Sequence, residues 1–204
     1  MTPSRQALRA ATGEAHDRVD AAFADFDLTD RASYARFLAA HADVVWALEA
    51  ALPGERVVDD WESRKRGELL KEDLSFLGKP PPRHPGEGRD PASSSSAAEE
   101  QRDPGLRRGD ETWEDAEIAG TLYVLEGSRL GGKFLARRLP AGFPRAYLDA
   151  DQRAEKWQQL LMVIDRLLRS PAALETATAA ALATFAAFER SADFWRRNEI
   201  GDGQ

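Results

Sequence analysis

Three side chains near the start of the chain have types and spacings that suit binding of a metal-containing anion. His16 stands one helical turn after Thr12 and one turn before Asp20, which places it on the inward stripe of the first helix. A carboxylate at i+4 can accept a bond from one imidazole nitrogen. That fixes the tautomer and leaves the other nitrogen for a metal. Arg9, seven residues before His16, shares its helical face and suits an anionic group of the same ligand. His41 lies between Leu38 and Val45, with Phe37 and Val45 rather than carboxylates one turn away, so it reads as a core or supporting residue. His84 falls in a proline-rich stretch and is assigned no chemistry.

The second unusual pattern is Leu122-Tyr-Val-Leu-Glu-Gly127-Ser-Arg-Leu-Gly131-Gly132-Lys-Phe-Leu135. It reads as helix throughout, yet each interior glycine costs about 1 kcal/mol relative to alanine. Gly127 and Gly131 are four apart and share a face without side chains, so the backbone can approach something flat. Two readings stay open: a ligand-facing helix, or close packing against another helix. Gly132 adds a third glycine, which suits a ligand site better than packing alone.

Composition narrows the classes. The 204 residues fit one domain, and the net charge of −7 without a basic stripe argues against nucleic acid as a partner. With no cysteine, thiolate nucleophiles, zinc–sulfur sites and iron–sulfur clusters are excluded. No signal peptide or membrane span is read from the sequence, so no membrane association and a cytoplasmic location are expected. No Glu-x-x-His pair, nucleophile elbow or phosphate-binding loop is present.

Helical periodicity dominates, and the expected class is all-α. A first helix runs from Thr2-Pro3 to about Phe23, with Leu8, Thr12, Ala15, Val19 and Phe23 on one stripe. A second is expected from about Arg31 to Leu52, and a third from about Asp60 to Leu77, ending at Gly78. After the glycine helix come Asp149 to Leu168 and a last helix from Ser170-Pro171 to about Asn198.

Residues 79–111 differ in kind. They hold six of the eleven prolines and the run Ser93–Ser96, with almost no large apolar side chains, and are expected to be disordered. The phrases Arg83–Pro91 and Arg102–Asp110 resemble each other, as translated arms of an inserted palindromic repeat would. The expected organisation is one domain: residues 1–78 with the first helices, an insert at 79–111, and residues 112–204 with the glycine helix and the C-terminal helices.

The residues Leu8-Arg-Ala-Ala-Thr-Gly-Glu-Ala-His16-Asp-Arg-Val-Asp20 resemble the proximal helix of heme oxygenases. Leu122 to Gly132 resembles their distal helix, in the form of bacterial enzymes often paired with bacteriophytochromes. The likeness covers the chain apart from the insert. It implies an all-α, single-domain heme-oxygenase-like fold, with heme between a proximal N-terminal helix and a kinked, glycine-rich distal helix. It implies His16 as the iron ligand, Asp20 as its hydrogen-bond partner and Arg9 as a propionate partner. Gly127, Gly131 and Gly132 would form the wall facing the heme, with Gly127, Ser128 and Gly131 at the reacting side. The implied activity is oxidative cleavage of heme to biliverdin, carbon monoxide and ferrous iron. Heme is then both substrate and cofactor, with O2 and an external electron donor, a reductase or ferredoxin. A biliverdin-using bacteriophytochrome is an implied downstream partner.

Two positions depart from the family pattern. Ser128 stands where the best-known members have an aspartate that organises water. Gln158 and Met162 stand near where the family has a basic pair, so propionate anchoring there is either lost or moved to Arg129, Lys133 or Arg137. Both departures feed an alternative, a heme or tetrapyrrole binding or sensing protein without turnover. A thiaminase-type enzyme of related fold is disfavoured by the missing cysteine.

Overall fold

The computed structural model describes residues 2–79, 113–150 and 154–198; the expected disordered insert at 79–111 falls almost wholly outside them. Six α-helices appear in the order α1 (Pro3–Ala24), α2 (Arg31–Ala51), α3 (Gly67–Phe76), α4 (Asp115–Ala136), α5 (Ala154–Leu167) and α6 (Pro171–Arg197), and no strand occurs among the described residues.

The helix starts follow local chemistry. Pro3 and Pro171 occupy first-turn positions that lack an amide partner anyway. Asp30 accepts from Ser33 N at 2.7 Å, and Ser170 from Ala173 N at 3.1 Å. At the head of α4 the Glu117 side chain accepts from Glu114 N at 2.8 Å. Gly78, just beyond α3, takes a φ of 71°, which favours glycine.

The expected third helix is in fact two pieces, a 3-10 turn at Trp61–Arg64 and then α3. The cause is Glu49 on α2. Its carboxylate accepts from Arg66 N at 2.6 Å and Gly67 N at 2.9 Å, starting a new helix there. A side chain at Gly67 would collide with Trp46 and with that carboxylate. The helix expected from Asp149 begins at Ala154 among the described residues, and residues 146–150 form turns instead.

α6 is the hub, packed against α4, α1 and α2. By length and composition alone it could cross a membrane, but here its buried Ala177, Ala181, Phe185, Phe188 and Ala192 belong to the core. α1 and α4 both rest on α5 and α6 yet scarcely touch each other, which leaves a slot between them. α1 is tied to α5 by Thr2 and Arg5, both on Asp165, and by Ser4 Oγ donating to Leu168 O at 2.8 Å.

Candidate functional site: a slot between the first and fourth helices

Both walls of the slot are built by helical spacing. On α1, Leu8, Thr12 and Ala15 are buried, while His16 and Asp20 turn outward from that stripe. His16 is thus not part of the packed core, as its sequence context suggested; its side chain is 59% exposed. Nδ1 lies 3.3 Å from Asp20 Oδ2, and the ring meets the edge of Phe185 from α6 at 6.0 Å. With Nδ1 turned to Asp20, Nε2 is the nitrogen left for a ligand. Arg9 is exposed on the same helix and electrostatically close to Tyr123 of α4.

The facing wall, α4, runs unbroken through its glycines. A Cβ on Gly131 would meet nothing within 4 Å, and one on Gly127 only the Trp157 ring at 3.8 Å. Among the described residues, helix–helix packing therefore does not account for this pair, whose face is open. The packing glycine of α4 is Gly120, whose Cβ would overlap the Ala177 backbone of α6. Gly132 is buried on the inner side of the helix. The open face continues into Leu130 and Phe134, which are 54% and 67% exposed. A side-chain-free stretch bordered by uncovered apolar residues suits a flat apolar molecule, and His16 of α1 is an accessible imidazole.

One contact bridges the slot. The Tyr123 phenol lies beside the Thr12 hydroxyl, whose proton goes to Leu8 O at 2.8 Å. Burial pushes the Tyr123 phenol up from its ordinary pKa. Trp157 of α5 lies beside Tyr123 at 5.7 Å and forms an edge of the slot.

Beside the glycine face, Ser128 Oγ donates to Leu125 O at 2.8 Å and accepts from Arg66 Nη2 at 2.9 Å. Arg66 also donates to Leu125 O and stacks over Tyr147 at 4.7 Å. Neither Arg66 nor its role was legible in the sequence, because the contact spans 62 positions. His41 is a supporting residue here. Its Nδ1 donates to Phe37 O at 2.8 Å, the ring is boxed by Phe23, Phe37, Tyr147 and Phe188, and burial pulls its pKa down to about 4.

Behind α4 is a buried ion cluster that sequence patterning also missed. Glu126 bonds Arg64 at 3.0 Å through one oxygen and Arg129 at 2.9 Å through the other. Arg64 further donates to Asp60 at 2.6 Å and to Lys156 O at 3.2 Å. Arg129, one of three suggested propionate partners, is therefore committed to the interior, whereas Lys133 and Arg137 are exposed. Gln158 is exposed, and Met162 borders a separate groove of about 1100 Å³ between Val57–Arg64 and α5. That groove contains none of His16, Asp20, Gly127 or Gly131.

The chain has relatives among known proteins. The heme oxygenase of Xanthomonas campestris pv. campestris is 33% identical over 173 residues, covering 78% of this chain and 88% of that one. Heme oxygenase PigA of Pseudomonas aeruginosa is 28% identical over 171 residues, covering 78% and 76%. The NO- and CO-bound heme oxygenase of Neisseria meningitidis superposes with a TM-score of 0.71 at 19% identity, covering 100% of this chain and 98% of that one. The heme oxygenase of Leptospira interrogans superposes with a TM-score of 0.66 at 19% identity, covering 95% and 100%. Because the heme oxygenase family model also matches residues 3–196, nearly the whole described bundle, the chain belongs to the heme oxygenase family.

Proposed function

We propose that this chain opens heme oxidatively to biliverdin, carbon monoxide and ferrous iron, with the heme held in the slot between α1 and α4. The observation that carries this is the pairing of an accessible, carboxylate-oriented His16 with the open face at Gly127 and Gly131. When bound, heme supplies the iron at which O2 is reduced and the meso carbon that is oxidised, with electrons from an external reductase or ferredoxin.

The protein's own part is positional. His16 offers Nε2 to the metal, and Asp20 holds the proton on Nδ1, so that the ligand is the neutral imidazole. Gly127 and Gly131 let the α4 backbone lie against the ring plane, where any side chain would hold it away. Arg9 on one wall and Lys133 and Arg137 on the other are the cations for the two carboxylates of the ligand. Ser128 has already used its proton on Leu125 O, so toward water it can only accept. Gly132 serves by letting the inner side of α4 pack.

Residues 79–111 are proposed to be an insert within this single domain. A cytoplasmic site of action and supply of biliverdin to a bacteriophytochrome fit the same reading.

The test is the visible spectrum of the purified protein with hemin, before and after reductant in air. A histidine-type Soret band that decays into broad biliverdin absorbance is expected. A stable band would leave a holder of heme, and no band would overturn the reading.

A further inference from the structure

α4 is held in different ways along its length. Its first half is embedded in the core through Ile118, Ala119, Leu122 and Leu125, and Gly120 rests on the Ala177 backbone of α6. From Glu126 onward that anchorage stops. Among the described residues no fully buried apolar side chain follows until Ala136, and Leu135 is only partly buried. The side chains buried from this stretch are instead Glu126 and Arg129, 4% and 6% exposed. Glu126 gives one oxygen to Arg64 at 3.0 Å and the other to Arg129 at 2.9 Å, while Arg129 also donates to Arg64 O. Arg64 is in turn fixed by Asp60 at 2.6 Å and by Lys156 O of α5 at 3.2 Å. The turn that carries Gly127 and Gly131 is thus tied by ions to α5 and to the Trp61–Arg64 turn, where the first half of the helix is held by packing.

Stability does not explain this arrangement. A buried ion network is often no better than well-packed apolar side chains of the same volume, because desolvation offsets the attraction between the charges. What a carboxylate between guanidinium forks adds is direction: it fixes one rotation and one height, whereas apolar contacts tolerate sliding. A stretch whose outer side is glycine has no side chains there to hold that height itself. We propose that Glu126 is a positioning residue, which through Arg64 and Arg129 sets the height and rotation at which α4 presents its Gly127–Gly131 face to the slot. It acts through Gly127, the next residue in the chain, and its use to the ligand rests on the reading of that face as the heme wall.

The chain has no cysteine, so introduced cysteines at exposed Glu14 of α1 and Lys133 of α4 can carry nitroxide labels cleanly. Distances between the labels are read in the heme-free protein, independently of heme binding. The informative variant exchanges the cluster as a unit: Arg64→Met, Glu126→Leu and Arg129→Met together. Its denaturant midpoint should stay close to the native one, since no charge is left without its partner at the centre of the cluster. Its label distances should nevertheless spread about twofold more widely, and hemin affinity of the unlabelled variant should fall about tenfold. Glu126→Gln, which keeps the shape but not the charge, should lie between. A folded triple variant with the native distance distribution overturns the proposal. If the triple variant does not fold, Glu126→Gln decides by the same distances, and a native distribution there overturns it. Broadened variants beside a native protein that binds no hemin would keep the positioning role and sink the heme reading instead.

Discussion

Gly120 of α4 lies directly on the Ala177 backbone of α6, so close that a Cβ at Gly120 would penetrate the Ala177 carbonyl. Seven and eleven residues later, Gly127 and Gly131 face open space. Gly120→Ala should therefore destabilise the fold by about 1–3 kcal/mol, because two backbones must separate. Gly131→Ala should fold as well as the native chain, or gain up to about 1 kcal/mol from helix propensity, and yet lose heme affinity. Urea unfolding of the heme-free proteins, set beside hemin titration, checks both. A Gly131 variant that binds heme normally would remove the ligand-facing role of α4.

His16→Ala should abolish the histidine-type spectrum, while Asp20→Asn should keep it and weaken hemin affinity about 10–100-fold. The contrast follows from their placement, since one offers the nitrogen and the other only aims it. Hemin titration followed at the Soret band measures each, and an unchanged spectrum in His16→Ala would refute the ligand assignment.

Much of this was readable from spacing. The stripe on α1 and the start of every helix opened by a proline or a capping side chain lie in local sequence, because helix periodicity and capping are local physics. The break between Arg64 and Gly67 was not legible. It depends on Glu49, seventeen residues earlier, supplying a cap from another helix. His16 was read as inward because it neighbours apolar positions, but a helix at the rim of a slot has two useful faces, and its residue belongs to the second. Arg66 and Glu126 carried no local signal, since a charged residue in an exposed turn and one in a buried cluster look alike until the chain folds.

Glu126→Leu should cost about 3–5 kcal/mol, because it takes away the carboxylate shared by two buried guanidinium groups, of which Arg64 keeps Asp60, and Glu126→Gln should cost less. Thermal unfolding of the heme-free variants provides the measurement. A Leu variant as stable as the native protein would show that Arg64 and Arg129 find other partners.

The contribution of His41 to stability should fall as pH drops from about 6.5 toward 4. The His41 pKa is about 4 in the folded chain and near 6.5 when unfolded, so across that interval the unfolded state binds the extra proton and is favoured. Raised carboxyl pKa values at Asp43, Glu49 and Asp73 act in the opposite direction, stabilising the fold as pH falls through their own window. His41→Phe isolates the histidine contribution: its acid-side decline should be shallower by about 2 kcal/mol in denaturant titrations at pH 7 and 4.5. An identical decline in both proteins would count against a neutral, buried His41.

Deleting residues 80–109 should leave hemin affinity within about threefold, because among the described residues the slot is built from α1, α4, α5 and α6. Hemin titration of the shortened chain tests this, and a tenfold loss would make the insert part of the binding apparatus.

α1 and α4 make little contact with each other, so heme placed between them as proposed would supply a layer of packing to the bundle. A ligand that fills such a gap adds its binding free energy to the fold, and its removal takes that contribution away. The reaction converts a rigid disc into a flexible open chain and releases its metal. On the proposed placement of heme, each turnover would therefore remove part of the enzyme's own interior, and chemistry and release would be coupled through the stability of the bundle itself.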